Sequence, residues 1–121
     1  MRALEDCSGN WVGIWTQFGI RGHMRLQLSF SGGSAEGHGS DDTGGFVVVG
    51  SYERSFTVEL AKAYSTHVFC YEGQWDGAMI SGASYQLGDN SNWGTFEMWP
   101  EGNDMNVESM EEVRSHALTH A

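Results

Sequence analysis

Short runs of alternating apolar and polar residues, broken by turn-forming clusters about every ten to twelve residues, fill the chain from Trp11 to Trp99. No segment of helical period interrupts them, so crossover connections are absent and each strand must return antiparallel to the one before. His23 to Phe30 is the clearest case: Met24, Leu26, Leu28 and Phe30 share one face, and His23, Arg25, Gln27 and Ser29 share the other. The remaining strands are read at Trp11 to Phe18, Ser34 to Gly39, Phe46 to Tyr52, Phe56 to Tyr64, Thr66 to Gly73, Ala78 to Tyr85 and Trp93 to Trp99. Ser31-Gly32-Gly33 and Asp76-Gly77 are hairpin signals, Ser40 to Gly45 reads as a polar loop, and Pro100 cannot donate to a ladder and ends the series.

The fold class expected is therefore all-β: an antiparallel up-and-down meander of about eight strands that closes into a barrel and so removes its edges. A half-open barrel is the variant, with short strand three and the loop from Leu87 to Asn92 as its weak points. Residues 1–10 form a lead-in, 11–100 the barrel and 101–121 a tail, all within one domain. In that tail Val107, Met110, Val113, Ala117 and Leu118 recur at helical spacing, with acidic residues early and basic or titratable ones late, which predicts a short C-terminal helix.

Composition narrows function. The 121 residues carry 17 glycines and one proline, a net charge of −10 and only six Lys and Arg, too few for a phosphate backbone and the wrong sign for an anionic membrane surface. Met1 to Asp6 has no apolar signal-peptide core, so a cytoplasmic protein is expected, with Cys7 and Cys70 as free thiols.

Gly13-Ile14-Trp15 on the first strand, followed by a meander of this length, resembles the Gly-X-Trp opening of the calycins, the lipocalin and avidin-like barrels. The resemblance implies a ligand-binding barrel in which Trp15 plugs one end. The Arg that packs on that Trp in lipocalins has no counterpart in Trp93 to Trp99, and the biotin-binding set of avidins is not matched. Gly37 to Phe46, Lys62 to His67, Tyr71-Glu72-Gly73, Asp76-Gly77 and Gly94 to Glu97 are also similar to a group of small bacterial barrel proteins, of a kind carried on gene cassettes. That likeness implies a fold and no activity.

Lys62 is the most informative single residue, because it shares a face with Phe56, Val58 and Leu60. If that face points inward, the ammonium must be paired, sit at a barrel mouth or meet a ligand; otherwise the strand exits there and the amine reaches water. Tyr64, His67 and Tyr71 can surround it, and with Trp15 and Trp93 they are the expected site for a small polar, anionic or aromatic ligand in a non-enzymatic barrel. Two alternatives are an acid-base enzyme using Lys62, Tyr64 or His67, and a homo-oligomeric interaction module built on exposed Trp75, Trp99 and the C-terminal helix. Asp41 and Asp42 read as turn caps, not cation ligands; no histidine spacing supports a metal, and no cofactor or catalytic motif is present.

Overall fold

The computed structural model describes residues 1–102, and the predicted C-terminal helix lies outside them. A 3-10 turn at Leu4–Cys7 leads into eight strands: β1 Gly9–Gln17, β2 Ile20–Ser31, β3 Ser34–Asp41, β4 Gly44–Tyr52, β5 Thr57–Ala63, β6 Val68–Trp75, β7 Ile80–Gln86 and β8 Asp89–Pro100. Each pairs antiparallel with the next, and β1 also pairs with β8 from Trp11↔Pro100 to Gln17↔Gly94, so the barrel closes.

Several loops are tighter than the turn signals suggest. The expected loop from Ser40 to Gly45 shrinks to Asp42-Thr43, because Ser40 and Asp41 continue β3 against Gly45 and Gly44 of β4. The loop at Leu87 to Asn92 shrinks likewise to Leu87-Gly88, with a register shift at Tyr85/Gln86 that absorbs the difference. Both expected weak points of closure are therefore paired.

Alternation decides which side chains enter the lumen. Trp11, Met24, Leu26, Leu28, Phe30, Val48, Val58, Leu60, Trp75, Ile80, Phe96 and Met98 fill it as one buried cluster. Strand β3 contributes almost no side chain there, and the bulk comes from its neighbour: a Cβ on Gly39 would overlap Leu26 and the Arg25 carbonyl. Glycine at that position lets the wall curve tightly while Leu26 takes the space.

The lead-in is not loose chain. Its 3-10 turn buries Leu4 and Cys7 against the core at the end where β1 starts. Cys70 lies on β6 between the inward-facing Phe69 and Tyr71, away from Cys7, and both thiols are free.

Three aromatic expectations are corrected here. Trp75, read as part of an exposed turn, is the last residue of β6 and is buried, its indole N–H donating to the Arg2 carbonyl at 2.7 Å. Trp99 does face outward with Glu97, yet it is buried beside Ile14, Val12 and Met79 in a second apolar cluster on the outer wall. Neither offers an open indole for a partner. The tryptophan enclosed at the plugged end is Trp11, not Trp15: Trp11 donates to the Cys7 carbonyl at 2.8 Å and packs on Trp75 and Phe30.

Candidate functional site

The opposite end of the barrel, where the turns β1–β2, β3–β4, β5–β6 and β7–β8 meet, holds a cavity of about 120 Å³ lined by Trp15, Gln17, Thr43, Lys62, Tyr64, His67, Phe69, Tyr71 and Ser84. Strand alternation supplies the set. Trp15 and Gln17 continue the inward face of β1, Lys62 and Tyr64 that of β5, Phe69 and Tyr71 that of β6, and Ser84 that of β7.

Lys62 is the centre of the site. It is 3 % exposed, so the alternative in which its amine escapes to water is overturned. An ammonium taken out of water needs a counter-charge, and Asp41 from the last position of β3 provides it at 2.7 Å, with its own side chain fully enclosed. The two other ammonium hydrogens are directed to Tyr71 Oη at 3.2 Å and Met24 Sδ at 3.6 Å. Phe46 lies beneath the cation, 4.5 Å from Nζ to the ring centroid, and Tyr64 and Tyr71 flank it at 5.1 and 5.4 Å.

Asp41 is equally occupied. One carboxylate oxygen accepts from Lys62 and, through a short hydrogen bond, from the Tyr64 hydroxyl. The other accepts the backbone N–H groups of Thr43 and Gly44 at 2.8 and 3.2 Å, the turn-capping role expected of it. Burial pushes the Asp41 carboxyl up, but the hydrogen bonds from Lys62 and Tyr64 and the lysine charge outweigh it and hold the group below the usual aspartate range. Burial pulls Lys62 below its ordinary value, opposed by Asp41. Desolvation, then Asp41, raises both tyrosines.

The rim is aromatic and amide. His67 stacks on Tyr64 at 4.6 Å with Phe69 edge-on to both, and an amide ladder from Gln17 to Asn92 to Gln86 ties β1 to β8 and β7. Trp15 lies over Gly22 of β2, where any Cβ would overlap the indole. Its Nε1 is the one buried side-chain nitrogen or oxygen without a hydrogen-bond partner among the described residues.

Of the expected set, Trp15, Lys62, Tyr64, His67 and Tyr71 come together here. Trp93 does not: it alternates with the inward Gly94 and Phe96, faces outward and is 62 % exposed. Asp41 was missed as a lumen residue, although Ala35, Gly37, Gly39 and Asp41 share one face once the strand is carried two residues further. Gln17, Thr43, Phe69 and Ser84 were missed as well, since the sequence does not reveal which turns share an end.

Among the described residues no group of three or more His, Cys, Asp or Glu could hold a metal ion, and no helix is long and apolar enough to cross a membrane. No protein-family model matches the chain, and no curated protein matches it either.

Proposed function

We propose that the protein is a non-enzymatic, calycin-like carrier or sensor of a small molecule, which it holds at the unplugged end of the barrel between Trp15, Lys62, Tyr64, His67 and Tyr71. One observation carries this reading: the lumen is packed with apolar side chains toward the 3-10 turn, while a cavity with convergent polar groups remains at the other end. Concave sites that combine aromatic walls with a few fixed polar groups are the usual form of small-ligand pockets. Asp41 is held below and Tyr64 and Tyr71 above their ordinary ranges, which fixes the protonation of these three groups and favours holding a ligand over transferring protons. Burial draws Lys62 downward, so the lysine is the one group of the set whose shift does not point that way.

The test is a thermal-shift screen of small compounds on the full chain, repeated with Ser84→Leu, which places a branched side chain in the cavity. Compounds that raise the Tm of the native protein and lose that effect in the variant support the reading. A screen with no stabilising compound, or hits that Ser84→Leu leaves untouched, sinks it.

A further inference from the structure

We infer that the molecule held in this cavity is uncharged, about one small ring in size, and presents a hydrogen-bond acceptor such as a ketone or amide oxygen. The inference rests on the small-molecule reading above and adds the chemistry of the ligand.

The charged groups of the site are already used. All three ammonium hydrogens of Lys62 have acceptors in Asp41, Tyr71 and Met24. Both oxygens of Asp41 accept two bonds each. A carboxylate or phosphate entering the cavity would find no free ammonium hydrogen and would lie close to the buried Asp41 charge. An amine would meet the Lys62 cation instead, with no carboxylate lone pair in reserve. Either one could be accommodated only by breaking the pair that keeps the lumen neutral.

Donors are what the site has left. The indole N–H of Trp15 is enclosed and has no acceptor. Tyr71 takes a bond from Lys62 through its oxygen, and no acceptor among the described residues takes its hydrogen. The Trp15 N–H can only donate and the Tyr71 hydroxyl still has its hydrogen to give, so the groups beside the buried pair select a ligand that accepts. The Ser84 hydroxyl and Gln17 Oε1, which take no bond among the described residues, leave room for one donor on the same ligand. The volume sets the size: about 120 Å³ is slightly less than the ~150 Å³ of a dry apolar cavity that holds benzene. The stacked Tyr64 and His67 rings and Phe69 give such a ring flat walls near the mouth.

The experiment titrates the full chain with four probes of one ring size, cyclopentanone, cyclopentanecarboxylate, cyclopentylamine and methylcyclopentane, and follows tryptophan fluorescence and the indole N–H resonances. The Trp15 resonance is identified by its loss in Trp15→Phe. Cyclopentanone should bind about tenfold or more tighter than the other three, shift the Trp15 indole resonance, and lose about tenfold in affinity in Trp15→Phe, the size expected for one hydrogen bond. If Trp15→Phe does not fold, the resonance shift in the native protein decides alone. Tighter binding of the carboxylate or the amine overturns the inference and leaves the pocket reading intact, as does ketone binding that leaves the Trp15 resonance unmoved. If all four fail while the thermal-shift screen yields a charged ligand, the inference falls by itself. If nothing binds in either experiment, both fall.

Discussion

Trp11 and Trp15 sit four residues apart on the same face of β1, and the barrel treats them in opposite ways. Around Trp11 the 3-10 turn folds over the lumen, and backbone carbonyls meet the indole N–H groups of both Trp11 and Trp75. Around Trp15 no backbone carbonyl meets the indole: the ring rests on Gly22, its enclosed N–H is unpaired, and a cavity lies beside it. At one end the lumen is filled, and the concavity of about 620 Å³ found there lies outside it, between the 3-10 turn, Tyr52 and Phe56; at the other the core is left incomplete around a buried ion pair. On the function proposed above, a barrel of this size keeps its stability in one half and reserves the other for recognition.

The largest effect that would break this comparison is at the pair itself. Lys62→Ala leaves the Asp41 charge enclosed without its partner and should cost about 3–5 kcal/mol in urea unfolding at neutral pH. The pH dependence gives an independent reading. Because the folded Asp41 pKa lies below its ordinary value of 3.8, its contribution is fully present above that pH and is lost as the pH falls through the lower folded value. Below pH 3.8 the native protein should lose stability more steeply than Asp41→Asn; parallel curves would mean that the pair does not stabilise the fold.

A smaller effect is expected at Gly22. The methyl of Gly22→Ala would have to displace the Trp15 indole, at a cost of about 1–3 kcal/mol, and should reshape the cavity as well. An unchanged Tm together with unchanged Trp15 fluorescence would show that the indole does not rest there.

The smallest and sharpest test sets the two indoles against each other. Trp11→Phe removes a satisfied bond and leaves a void in a filled end, so about 1–2 kcal/mol should be lost in denaturant titration. Trp15→Phe removes an N–H that nothing accepts, and its cost should stay within about 0.5 kcal/mol. Equal losses would erase the distinction between the two ends.

The meander was legible because its signal is local. Alternation within a strand and glycine in a turn are visible a few residues at a time, so strand order, antiparallel pairing and the set of residues sharing each face of β5 all follow from the chain. Which of those faces turns inward is not local: the burial of Lys62 decides it for β5. What could not be read is whatever depends on strands far apart in the sequence: Asp41 opposite Lys62 requires knowing that the β3–β4 turn and the end of β5 share one mouth of the barrel. Trp75 failed for a nearer reason. The Asp76-Gly77 signal was extended backward into the strand, whereas Ile80 pairs directly with Trp75 and the turn begins only after it. The Gly-X-Trp spacing also placed the plug four residues too late, since Gly9-Asn10-Trp11 carries the same spacing beside the 3-10 turn that does the plugging.

The seam between β1 and β8 has a kinetic consequence. Seven of the eight strand pairings join neighbours in sequence and can form as hairpins, but the last, with Trp11 opposite Pro100, needs nearly the whole barrel to exist first. A chain emerging during synthesis would carry an open β1 edge until β8 arrived, with the slow step being one long loop closure. Through that interval the glycine-rich turns do more than shape the final wall: they hold the early hairpins in register, so that the unpaired edges are confined to β1 and the strand last formed.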